Sequence, residues 1–277
     1  MDSIPKFPLG DMIEKFIDFT TEHFSVFTRA ISDITETALE HLIDGMLFFH
    51  PLVFIAIVGM VLFKFSGRKI AIGSVAGLLF ILNLGLWDAT ISTLALVLSA
   101  TLVSVSMGVP LGIMAALYKP FNRVLMPLLD FMQTMPAFVY LIPAIPFFGL
   151  GPVSAIFTTV IFAMPPSIRL TCLGISQVPS ELIEAADAFG STKKQKLFKL
   201  QLPLAMPTIM AGVNQTIMLA LSMVVIAAMI GAGGLGGEVW RAIQRLWMGR
   251  GFEAGIAVVI IAMILDRVTQ KTASKKK

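Results

Sequence analysis

Apolar runs of membrane-spanning size follow one another through the chain, at about 48–63, 70–87, 91–117, 124–149, 152–176, 204–230 and 252–265. A helix needs about 20 apolar residues to cross a bilayer, so a chain that spends most of its length on such runs has the bilayer as its solvent. The expected fold is all-α: a polytopic membrane helix bundle of about seven transmembrane helices. The last run is the weakest, because Gly255 to Leu265 is shorter than a bilayer demands and by itself suits a re-entrant segment. Composition agrees with the reading, since 14% of residues are charged against about a quarter in a soluble domain.

Ahead of the runs, residues 11–46 keep helical periodicity. Met12, Ile13, Phe16, Ile17, Phe24 and Phe27 fall on one side, and Glu14, Asp18 and Glu22 on the other. This pattern predicts one or two amphipathic helices lying on a membrane surface or against the bundle's own outer face. The stretch has no basic start, apolar middle and small-residue cleavage site in that order, so a cleaved signal peptide is not expected. Three regions result: an extracytoplasmic or interfacial segment 1–47, a transmembrane domain 48–266, and a basic tail 267–277.

Charge placement orients them. With seven crossings and a cytoplasmic tail, the inner segments 64–69, 118–123, 177–203 and 267–277 hold 14 Lys and Arg, against 6 on the opposite side. The positive-inside rule then predicts a multi-pass protein of the cell membrane with its N-terminus outside and its C-terminus in the cytoplasm. Basic residues spread over short loops report topology, so the net charge of +4 does not point to nucleic acid.

The stretch 177–203, QVPSELIEAADAFGSTKKQKLFKLQLP, is the longest interior hydrophilic segment on the inner side. Ser180 suits an N-cap, Glu181 and Glu184 suit the positive end of a helix, and Gly190 suits a C′ position that needs positive φ. A second short helix is expected to start at Ser191 or Thr192 and to end before Pro203. Two short helices joined by a glycine corner make a rigid knob, with Leu182, Ala185, Ala186 and Phe189 as its apolar faces.

Glu184-Ala185-Ala186, three residues, Gly190, nine residues, then Leu200-Gln201-Leu202-Pro203 resembles the EAA loop of ABC importer permeases. Leu200 stands where that pattern has Ile. The resemblance implies an ABC importer permease fold in which this loop is the coupling helix that docks on a cytoplasmic ATPase subunit. Glu184 and Gly190 would set the corner, Ala185 and Ala186 would allow close approach, and Leu202 and Pro203 would open the next membrane helix. The segments LDFMQTMPAFVYLIPAIPFFGLG, VIFAMPPSIRLTCLGISQVP and NQTIMLALSMVVIAAMIGAGGLG are similar to permeases of glycine betaine and proline betaine uptake systems. They imply an osmoprotective importer of quaternary-ammonium solutes, working with a separate extracytoplasmic solute-binding protein and a second permease copy, as a homodimer, in the lipid bilayer. ATP and Mg would be bound by the partner ATPase, so no catalytic residue, cofactor or metal is expected in this chain. Recognition of the cation is expected in an aromatic cage of the binding protein, and no substrate-contacting residue is assigned here.

Two rivals stand beside this reading. A permease for another small solute, such as an amino acid, would carry the same loop. An ion-coupled secondary transporter would show related repeats and intramembrane coupling-ion residues, and neither is visible.

Several other motifs carry less. Gly231 to Gly236 satisfies G-x-G-x-x-G as a string, but it follows a membrane span rather than a β-strand, so a tight outer turn is expected. No phosphate-binding P-loop occurs. His23, His41 and His50 form no ligand cluster, and Cys172 reads as a small buried hydrophobe. Asp130 inside a span is a candidate functional group with Arg169 as its partner, or else an interfacial residue. Asn214 and Gln215 either line a pathway or bond between helices.

Overall fold

The computed structural model describes residues 8–274, and the lysines that close the expected tail, Lys275 to Lys277, lie outside them. Helix α1 covers Leu9–Leu47, α2 Pro51–Ser66, α3 Arg68–Asn83 and α4 Trp87–Leu117. Helix α5 covers Lys119–Thr134, a 3-10 turn Ala137–Tyr140, α6 Leu141–Phe148 and α7 Pro152–Ser176. The inner loop follows as α8 (Ser180–Ala188) and α9 (Lys193–Lys196), which a π-turn at Leu197–Gln201 joins to α10 (Leu202–Ala227). Helices α11 (Gly234–Gln244) and α12 (Met248–Ser274) complete the chain, and no strand occurs among the described residues.

The bundle is built on α4, α7 and α10. Their facing positions are small, with Ala95, Ala100, Ala155, Ala163 and Ala220 fully buried. Association in a membrane gains nothing from the hydrophobic effect, so close backbone approach and packing must supply the energy. Some buried hydroxyls are satisfied locally or across helices, whereas those of Thr101, Thr159, Thr171 and Thr216 find no partner among the described residues. Ser104 donates to Ala100 O at 2.7 Å and to Val160 O of α7 at 3.3 Å. Thr93 donates to Ala89 O and accepts from Leu235 N at 2.8 Å, which ties the start of α11 to α4.

Turns gather at two ends. Arg250 Nη1 donates to Leu84 O at 3.3 Å, joining the start of α12 to the turn between α3 and α4. Gly231 lies beside Gly151 at the same end. At the other end Asn122 Nδ2 bonds Ala115 O and Cys172 Sγ, next to the loop that carries α8 and α9.

The expected spans are realised unevenly. Four uninterrupted stretches are long and apolar enough to cross a membrane: Trp87–Leu117, Pro152–Ser176, Lys193–Ile230 and Met248–Gln270. Two more are helix pairs long and apolar enough only when taken together, bent by 93° between α1 and α2 and by 109° between α5 and the segment Ala137–Phe148. The expected run 124–149 is therefore not one straight crossing. Pro136 supplies the reason: the residue before a proline is pushed out of the helical region, and Met135 is extended at φ −71°, ψ 135°. Tyr140 Oη donates to Met132 O, pairing a carbonyl next to the break.

Helix α3 has 16 residues and rises about 24 Å, short of a full hydrocarbon core. It forms a hairpin with α2 across Gly67, whose φ is 93°. The last segment differs in the other direction. It is a continuous helix of 27 residues rather than a short or re-entrant piece, because polar residues beyond the apolar run find partners. Asp266 accepts from Asn214 Nδ2 at 2.9 Å and from Gln270 Nε2 at 2.7 Å, while Thr269 donates to Asn214 Oδ1 at 2.7 Å. Asn214 thus bonds between α10 and α12, whereas Gln215 is exposed.

The amphipathic N-terminal segment is one helix, nearly perpendicular to α2. Thr28 and Leu39 are buried, while Phe16, Phe19, Phe24, Val26, Phe27 and Ile34 are exposed. If α2 stands along the membrane normal, α1 lies in the membrane plane with a long apolar face unburied by protein.

Candidate functional site

Helices α8 and α9 project from the bundle end as a corner whose geometry is fixed by local chemistry. Gly190 has φ +75°, a conformation that costs a side-chain-bearing residue about 1 kcal/mol or more. Its N–H donates to Asp187 O at 2.9 Å, and Ser191 N–H donates to Ala186 O at 3.0 Å. Those two bonds form a Schellman motif, which pairs carbonyls left open at the end of α8. Thr192 then caps α9 in a capping box: its Oγ1 accepts from Gln195 N at 3.3 Å, and Gln195 Oε1 accepts from Thr192 N at 2.9 Å. Lys196 Nζ bonds both oxygens of Asp187 at 2.7 Å, bridging α9 back to α8.

The structure changes two expectations here. Pro179, extended at φ −53°, ψ 133°, occupies the cap position of α8, so Ser180 is the first helical residue and makes no cap bond. The second helix also does not end before Pro203. It passes through the π-turn, where Leu202 N–H reaches back to Leu197 O, and continues as α10. Proline has no N–H to give, and its ring clashes with the carbonyl four residues earlier. A widened turn ahead of Pro203 relieves both problems.

Glu184, Ala185 and Pro203 are exposed, and Ala186 and Leu202 are partly so. No side-chain bond ties Glu184 to the corner among the described residues. The residues holding the corner are Gly190, Asp187, Lys196 and Thr192, and the last three were not singled out as partners in the sequence. The T-K-K-Q spacing signalled the capping box; the Asp187 to Lys196 separation of nine carried no signal, because it depends on the corner having formed. Phe189 is 92% exposed at the tip, an apolar group in contact with nothing that would hide it.

Nearer the bundle, Arg169 of α7 reaches Asp130 of α5 in an ion pair, the partnership the sequence suggested. Asp130 keeps 66% of its side chain exposed. A carboxylate so open within a membrane bundle faces water or another protein surface rather than acyl chains. Gly231 and Gly233 adopt positive φ in a turn after α10, and a Cβ on Gly236 would stand 2.7 Å from Val225 Cα. The glycine string is a packed turn preceded by helix, not a dinucleotide loop. Among the described residues no group of His, Cys, Asp and Glu could hold a metal.

Fold and loop together define a membrane transport permease, and the family follows. Residues 108–271 match the family described as binding-protein-dependent transport system inner membrane component, and the chain belongs to that family. It is 51% identical over 277 residues to the glycine betaine transport system permease protein OpuAB of Bacillus subtilis (strain 168), covering all of this chain and 98% of that one. It is 48% identical over 266 residues to the glycine betaine/proline betaine transport system permease protein ProW of Escherichia coli (strain K12), covering 95% of this chain and 74% of that one. Among solved structures, an inward-facing form of the MetNI methionine ABC transporter superposes with TM-score 0.63 at 21% identity. That match covers 69% of this chain and 96% of the other, and it shows a shared fold.

Proposed function

We propose that this chain is the membrane-spanning subunit of an ATP-driven importer for glycine betaine or related quaternary-ammonium solutes. The observation that carries the reading is the 51% identity with a glycine betaine permease over all of this chain and 98% of that one. A cytoplasmic ATPase subunit binds ATP and Mg, an extracytoplasmic protein delivers the solute, and a second permease copy completes the pathway. The exposed Asp130–Arg169 pair supports placing a second protein surface or a wet pathway beside α5 and α7. No bond of the solute is made or broken here. The chain's task is alternating access, with Glu184, Ala185, Ala186, Gly190, Leu202 and Pro203 belonging to the surface that follows the ATPase.

Uptake tests the substrate. In a host lacking its own betaine systems, co-expression with the ATPase and binding protein should give accumulation of labelled glycine betaine that unlabelled betaine competes away and methionine does not. Competition by methionine alone would assign the permease to amino acids. Accumulation abolished by a protonophore while ATP is held constant would assign it to ion-coupled transport.

Domain order and orientation belong to the same proposal: 1–47 at the outer surface, 48–266 the permease, 267–277 in the cytoplasm. Lys64, Arg68 and Lys69 anchor the first short loop inside, so α1 rests on the outer leaflet. In a Cys172→Ser background, a cysteine at exposed Thr37 should react with an impermeant maleimide on intact cells, and one at exposed Lys194 should not. Protection of Thr37→Cys until the membrane is opened would shift the crossing count by one.

A further inference from the structure

At the end of the bundle opposite the loop, the corner between α11 and α12 carries two adjoining hollows. One is an apolar groove of about 760 Å³ lined by Ile243, Leu246, Met248, Phe252, Ile256 and Met263, among others. The other is a pocket of about 480 Å³ lined by Glu238, Arg241, Ala242, Arg245, Trp247 and Arg250. Ala242 and Trp247 line both, so a molecule can occupy the groove and the pocket at once.

The two hollows differ in chemistry. Phe252, Ile256, Val259 and Met263 form one exposed stripe along α12. With Met248, the groove's wall along α12 runs about 22 Å to Met263, longer than the roughly 15 Å of one leaflet's hydrocarbon. The pocket carries three arginines against one lining carboxylate. Arg241 bonds Glu238 Oε1 at 2.6 Å, and Arg250 lies 3.7 Å from Glu238 and 3.6 Å from Glu253. Arg245 has no carboxylate partner among the described residues. Its guanidinium stacks 4.9 Å over the Trp247 ring. The turn that presents it contains Leu246 at φ 55°, a backbone conformation that no other described non-glycine residue adopts.

We propose that the groove and pocket together hold one anionic phospholipid, its acyl chains along α12 and its phosphate at Arg245. Apolar depth alone would also suit a second copy of this chain. The unpaired cation at the headgroup end of the groove favours a ligand that brings its own negative charge, and a Trp at that level marks the membrane interface. The site also accounts for arginines on the side where the positive-inside rule expects few.

The full-length chain is to be reconstituted in nanodiscs with equal amounts of phosphatidylglycerol and phosphatidylcholine, re-extracted in mild detergent, and its retained lipids counted by native mass spectrometry. Wild type should retain phosphatidylglycerol in preference to phosphatidylcholine. Arg245→Gln should cut that preference about fivefold, and Arg245→Lys should restore most of it. Gly255→Leu should lower retention of both lipids, since a Cβ there meets nothing within 4 Å and the side chain fills the groove. Equal retention of the two lipids by wild type, or a preference untouched by Arg245→Gln, would overturn the proposal. So would a disulfide between two copies carrying Ile256→Cys in a Cys172→Ser background, which would seat the second copy in the groove.

Discussion

Replacing Gly190 with proline should abolish solute uptake, by at least about tenfold, while leaving the protein inserted in the membrane. The native φ of +75° cannot be reached by a ring that fixes φ near −65°, and the substitution also removes the bond from Gly190 N–H to Asp187 O. With that bond goes half of the Schellman closure, and α9 no longer meets α8 at an angle that lets Lys196 reach Asp187. The loop touches little of the bundle, and no residue of α8 is buried, so the membrane core should be indifferent. Gly190→Ala should behave differently. A Cβ there meets nothing within 4 Å, so its cost is the conformational term of about 1–2 kcal/mol, and partial transport should survive. Uptake and ATPase co-purification for both variants decide the matter. Normal uptake by Gly190→Pro would falsify the assignment of this loop as the coupling surface.

Much of that loop was legible because its determinants are local. A glycine four positions after an alanine pair, and a Thr four positions ahead of Lys196 with Gln195 between them, specify a helix end and a helix start through bonds among near neighbours. The Ser180 misreading is also local: a Ser placed directly after an extended proline arrives one position too late to cap. The break after Thr134 was not legible in the same way. Pro110, Pro127, Pro146, Pro165, Pro166 and Pro207 all sit inside continuous helices, and Pro136 alone accompanies a sharp bend in α5 and its successor. Which proline breaks a helix depends on whether neighbours such as Tyr140 can take up the freed carbonyls. The length of α12 escaped for a related reason: Asp266 and Thr269 look like the end of a span until Asn214, about fifty residues earlier, is seen to pair with them.

Gly112→Val should remove most of the folded protein, whereas Gly73→Val should leave yield and thermal stability close to wild type. At Gly112 an added Cβ would lie 2.6 Å from the backbone oxygen of Ile168 and 2.6 Å from Thr171 Cβ, both on α7. Neither atom can rotate aside, so α4 and α7 must separate along their contact. Ordinary overpacking costs about 1–3 kcal/mol, and a clash with backbone in the α4–α7 contact should exceed it. Gly108, one turn earlier, faces a softer obstacle: the atom nearest its added Cβ is Ser167 Oγ, a hydroxyl that can turn away at the expense of its 2.8 Å bond to Met164 O. Gly108→Ala should therefore be milder than Gly112→Ala, although both glycines line the same α4–α7 contact. Gly73, with nothing within 4 Å, controls for the loss of a helical glycine as such. Detergent-solubilised size-exclusion profiles and melting midpoints for the set give the ranking. If Gly112→Val elutes and melts like Gly73→Val, the close approach of α4 to α7 is not what holds this bundle together.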